Sequence, residues 1–128
     1  MISTRGYKIM LKRLFGSKPN ADKPGFYHGK HFTEYIDQVN TLKRAEKLYE
    51  AERLLLALID VIEAENQTQQ FGVAPWYYEQ LAILYRGRND YAAEVAILER
   101  CQQQPYSRGE PAFAERLEKA RALRDKAT

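Results

Sequence analysis

The stretch that most constrains this chain lies between two prolines, Pro75 and Pro105: PWYYEQLAILYRGRNDYAAEVAILERCQQQP. Proline suits the first turn of a helix, where its missing N–H would have no partner anyway, so the spacing predicts a helix from Pro75 to about Arg86. Tyr78, Leu81, Ala82 and Tyr85 then recur at i, i+3, i+4, i+7 and form one apolar stripe. Gly87, Asn89 and Asp90 interrupt it with turn chemistry. A second stripe follows at Tyr91, Val95, Leu98 and Cys101, with Glu94, Glu99 and Arg100 assigned to solvent. Two short helices with one stripe each must bury those stripes against each other, which predicts a hairpin over 75–104.

The same pattern occurs earlier. Thr33 is suited to cap a helix running to about Ala45, with Glu34 in its first turn and Tyr35, Ile36, Val39 and Leu42 as its stripe. After a charged turn from Lys43 to Lys47, a longer helix carries Leu48, Ala51, Leu54, Leu55, Leu58, Ile59 and Ile62 to about Asn66, with Gly72 as its terminator. This is a hairpin over 33–66. Pro111 suits the first turn of a last helix over 111–126, whose stripe is Phe113, Leu117, Ala120 and Leu123 and whose other faces are charged. The expected protein is all-α with about five helices. Residues 1–24 form a basic leader and 25–128 a single domain, since 128 residues with 45% hydrophobic content support one modest core.

In the later hairpin, the aromatic Tyr78, the Leu81-Ala82 pair, Tyr85, the Asp90-Tyr91 turn and Leu98 together resemble a tetratricopeptide unit. In the earlier one Tyr35, Val39 and Leu42 correspond to Tyr78, Ala82 and Tyr85. The small-residue site of the second helix holds Ala51 in one copy and Glu94 in the other, and the copies are 43 residues apart, Tyr35 to Tyr78, against roughly 34 in a regular array. The resemblance implies a right-handed stack of antiparallel helix hairpins that exposes the faces of its first helices along one side. By the same resemblance those positions are Thr33, Ile36, Asn40 and Lys43, then Trp76, Glu79, Ile83 and Arg86. With Arg44 beside them, they suggest a groove for an apolar peptide with an acidic flank. Trp76 and Tyr77 have two readings, as groove wall or as core packed under Phe71 or the leader.

The expected function is therefore a non-catalytic protein- or peptide-binding scaffold. The chain has no nucleophile motif, no phosphate-cradling glycine loop and no histidine with a spaced acid partner, so no enzyme activity and no cofactor are expected. His28 and His31 have a spacing that two ligands of one metal could use, but too few further ligands accompany them, and no metal is expected. Cys101, the single cysteine, falls on an apolar stripe and reads as a core residue. No apolar run approaches the roughly 18 residues that span a bilayer. Lys12 and Arg13 interrupt Ile9 to Phe15, which argues against a secretory signal, and a cytoplasmic location is the expectation.

Charge supplies the alternative function. Residues 1–31 hold seven basic residues against Asp22 alone, leaving 13 basic against 16 acidic in the remainder. An anionic partner, single-stranded nucleic acid or a membrane surface, would therefore act through the leader and the aromatic segment after it. The candidate contacts are Lys12, Arg13, His28, Lys30 and His31. Met10 is an alternative start. Helical-repeat arrays generally need about three units, so the stripe of Tyr35 to Leu42 needs a cover. Residues 25–32 are expected to fold over it as a lid on a monomer, with a homodimer as the alternative.

Overall fold

Several helix ends here have a local reason in the sequence. The computed structural model describes residues 23–107 and 111–127. In chain order it has strands β1 (Phe26–Tyr27) and β2 (Lys30–His31), a 3-10 turn (Phe32–Tyr35), and helices α1 (Ile36–Arg44), α2 (Leu48–Gln69), α3 (Pro75–Gly87), α4 (Tyr91–Gln102) and α5 (Ala114–Ala127). The fold is all-α, the strand among the described residues being confined to that one pair of two-residue strands. Pro75 opens α3, and the Asp90 carboxylate caps α4 by accepting from the Ala93 N–H at 3.2 Å.

Three boundaries differ from the sequence expectation. The residue that caps the first helical segment is His31, whose ring accepts from the Thr33 N–H, and Thr33 itself lies inside the 3-10 turn. Helix α2 runs on to Gln69 and is closed by Gln70 in the left-handed conformation (φ 59°), donating to the Asn66 carbonyl, so Gly72 lies in the following loop. Pro111 precedes α5, which begins at Ala114.

Residues 25–32 are a β-hairpin. His28 and Gly29, the two residues of its tip, both have positive φ (50° and 83°), the geometry whose twist matches paired strands. Gly25 (φ 87°) docks it on α2 by donating to the Val61 carbonyl at 2.9 Å, and a Cβ at that position would lie 2.4 Å from Glu65 Oε2. Tyr27 meets Tyr35 edge to face, and the Tyr35 hydroxyl donates to the Tyr27 carbonyl at 2.6 Å. The segment thus packs on α2 and the 3-10 turn more than over α1.

Consecutive helices pack on one another, and α2 lies at the centre, touching α1, α3, β1 and the 3-10 turn. Ala51, Leu55, Leu58, Ile59 and Ile62 are its buried side. They meet Tyr78, Leu81, Ala82 and Tyr85 of α3, then Val95, Leu98 and Cys101 of α4, with Leu117 and Ala120 of α5 closing the same core. Each large aliphatic side chain fully buried here contributes about 1.5–3 kcal/mol. Tyr78 donates to Glu63 and Tyr85 to Glu52 (2.8 and 2.9 Å), pairs that run in opposite senses along the two chains and fix α2 and α3 as antiparallel.

A fully buried asparagine joins the two longer loops. Asn66 Oδ1 accepts from the Gly72 N–H at 2.7 Å, and Nδ2 donates to the Pro105 carbonyl at 2.9 Å. An apolar substitute would leave both backbone groups without those partners, at about 1–3 kcal/mol each when buried. Asn66→Ala is therefore expected to lower unfolding stability by about 2–3 kcal/mol in urea titrations, and a loss under about 0.5 kcal/mol would contradict this.

Candidate functional site

The residues expected to line a groove fall on α1 and α3, and they divide into free and committed groups. Ile36 and Ile83 are exposed large aliphatics (39% and 41%). Lys43 Nζ donates to Gln80 Oε1 on α3, which links the two helices at one point and spends that ammonium on an internal contact. Arg44 is exposed and donates to its neighbour Thr41 at 3.3 Å. Asn40 and Glu79 are half-buried. Trp76 is half-buried against the core, edge to face with Tyr77.

Tyr77 is no part of a groove. It is buried, donates to the Phe32 carbonyl at 3.2 Å and meets the Phe32 ring edge to face, while Phe71 stands 58% exposed. Tyr77 thus packs with Phe32, the last residue of the β-hairpin segment. Burial pushes its hydroxyl up to about 12. Tyr78 and Tyr85 are also held well above the ordinary range, by burial first and then by their carboxylate partners.

Glu94 was expected in solvent, and this is the largest correction. Its side chain is fully buried (0%). Arg86 Nε donates to both carboxylate oxygens at 2.9 and 3.0 Å. Arg86 Nη2 lies 2.8 Å from Oε2, and Arg116 Nε of α5 approaches the same oxygen at 3.3 Å. These last two nitrogens are buried and have ion contact with Glu94 but no aligned hydrogen bond. The hydrogen bond to Glu94 raises the Arg86 guanidinium above its ordinary range. Arg86 therefore serves α3–α4–α5 cohesion before any groove. A sequence signal existed: Glu94 stands three after Tyr91 and four before Leu98, inside the stripe it was read as leaving.

A second ionic group lies on the α2 side. Arg100 reaches Glu63 through Nε (2.8 Å) and Asp60 through Nη2 (2.9 Å), and its hydrogen bond to Glu63 is the main reason its guanidinium is raised. Arg88 pairs with Glu52 at 2.8 Å. Periodicity had assigned Arg100 to solvent, yet it ties α4 to α2.

Of the candidate anion contacts, Lys12 and Arg13 lie outside the described residues. Lys30 Nζ lies 4.6 Å from the Tyr35 ring centroid, a cation–π distance. His31 has both ring nitrogens engaged, Nδ1 with Thr33 Oγ1 and Nε2 with Glu65 Oε2, each at 2.9 Å, and His28 is at the exposed hairpin tip. Among the described residues no group of three His, Cys, Asp or Glu side chains is arranged to hold a metal ion, and no helix is long and apolar enough to cross a membrane. The chain matches no known protein family, curated protein or solved structure.

Cys101 is buried, and burial pushes its thiol up to about 11. Because the folded value is raised, the neutral thiol is the form the fold favours up to that pH, and thiolate chemistry near neutrality is suppressed. Iodoacetamide at pH 8 is expected to label the native protein far more slowly than the urea-unfolded chain. Equal rates would contradict the burial.

Proposed function

We propose that this protein is a non-catalytic interaction module, a tetratricopeptide-like right-handed stack of two helix hairpins and a closing helix. In this reading it binds a short segment of another protein along α1 and α3. The observation that carries the reading is the exposure of Ile36 and Ile83 on two helices that the Lys43–Gln80 hydrogen bond links. Elsewhere on these helices apolar side chains are spent on the core: Val39, Tyr77, Tyr78, Leu81, Leu84 and Tyr85 are all buried. A β-branched aliphatic left exposed on each helix supplies the apolar anchor points of a peptide groove. Trp76 adds a half-buried ring, the residue type most enriched at interface hot spots.

The partner chemistry follows from what remains free. Arg44 gives the face a positive end, whereas Lys43 and Arg86 are engaged internally. A ligand with one or two aliphatic side chains followed by a single acidic residue fits better than a strongly acidic one. Selection of displayed random peptides on the full chain tests this. The expected result is an enriched apolar-acidic pattern whose binding falls at least about tenfold in an Ile36→Glu, Ile83→Glu variant with an unchanged thermal melt. A selection that enriches no such pattern, or peptides that bind the variant as well as the parent, would contradict the proposal.

A further inference from the structure

Beside the Glu94 ion group lies a cavity of about 230 Å³ lined by Arg86, Glu115, Arg116 and Lys119. Its charges do not balance. Two guanidiniums and an ammonium face it, against Glu115 on its wall and Glu94 buried behind it, which leaves one positive charge in excess. The arginine nitrogens turned to Glu94 are buried, while the Arg86 and Arg116 side chains keep 31% and 26% of their surface accessible. Both side chains line the cavity, and Glu94 already holds each guanidinium in place. Ordering these two long side chains is the usual entropic obstacle to such a site, and here folding has met most of it.

Helix α5 adds to the same field. It begins at Ala114, so Glu115 and Arg116 sit in its first turn, where backbone N–H groups lack intrahelical acceptors and the helix dipole is positive. We propose that this cavity is an oxyanion site that takes a phosphomonoester dianion, free or carried on a peptide. The guanidinium donors not turned to Glu94, together with an ammonium, offer hydrogen bonds from several directions, which a tetrahedral group with three acceptor oxygens satisfies better than a flat carboxylate. Glu115 limits the site to one such group, since a run of phosphates would press against it. The site shares only Arg86 with the α1–α3 face and draws its other donors from α5, so either proposal can fail without the other.

The test is a titration of the isotope-labelled full chain with inorganic phosphate at fixed ionic strength, followed by NMR, with acetate and chloride as comparison anions. Saturable shifts are expected to concentrate on Arg86, Arg116, Lys119 and the first turn of α5. Lys119→Gln, which leaves the Glu94 contacts intact, is expected to weaken phosphate roughly tenfold, and Glu115→Gln to tighten it. A phosphoserine peptide that binds more tightly than free phosphate would identify a modified protein as the source, and equal binding a free phosphate ester. Shifts that acetate or chloride reproduce at the same concentration would overturn the proposal. So would phosphate binding that Lys119→Gln does not change.

Discussion

A carboxylate buried without counter-charge is among the most costly groups a small domain can carry, and Glu94 is wholly enclosed where α3, α4 and α5 meet. In the earlier hairpin the fully buried Ala51 is small enough to let helices approach by size alone. At Glu94 the packing is solved by charge. Arg86 embraces the carboxylate with paired hydrogen bonds and Arg116 comes to the same oxygen from α5. Because both arginines keep part of their surface in water, the tie forms without full desolvation of either cation, the step that makes most buried ion pairs unprofitable. It also fixes the rotation of α5, whose buried contribution is little more than Leu117 and Ala120. So narrow a stripe would leave the helix free to roll.

The other half of the molecule rests on α2. Its apolar side holds the core, and its flanking acids receive what the neighbouring helices send to the core's edge: Tyr85 and Arg88 at Glu52, Tyr78 and Arg100 at Glu63. Tyr78 and Tyr85 thus keep their rings in the core and their hydroxyls on a carboxylate, which satisfies the one polar atom each ring carries. Asn66 does the equivalent work for two loops. Helix register is therefore set twice, by apolar packing and by a layer of charge-assisted hydrogen bonds around it.

Apolar periodicity made most of the helices readable, because burial on one face leaves a 3.6-residue signature: α3 and α4 fall almost where Pro75 and Asp90 place them. What it could not read were groups whose environment comes from distant residues. Glu94 lies on the stripe, but a glutamate there looks like an interruption until Arg116 of α5 is brought beside it. The β-hairpin escaped because its tip, His28-Gly29, is not one of the usual turn pairs, and its strands are only two residues long. His31 stands among the candidate anion contacts in the sequence, whereas Glu65 on α2 engages its ring. Of the proposed groove residues, Ile36 and Ile83 are exposed, Ile36 although periodicity also assigns it to the apolar stripe of its helix, while Lys43 and Arg86 are occupied by contacts that spacing alone does not reveal.

In this account the α3–α4–α5 half of the molecule is organised by one buried carboxylate, and the proposed oxyanion site is the outer side of the same group. The most direct measurement is a pair of double-mutant cycles in urea unfolding, combining Glu94→Gln with Arg86→Met and with Arg116→Met. Coupling of about 2 kcal/mol or more is predicted for Glu94 with Arg86, with a smaller but clear term for Arg116, whose approach is longer. Coupling below about 0.5 kcal/mol in both cycles would contradict the account, since Glu94 would then be a tolerated burial and not the tie between the helices.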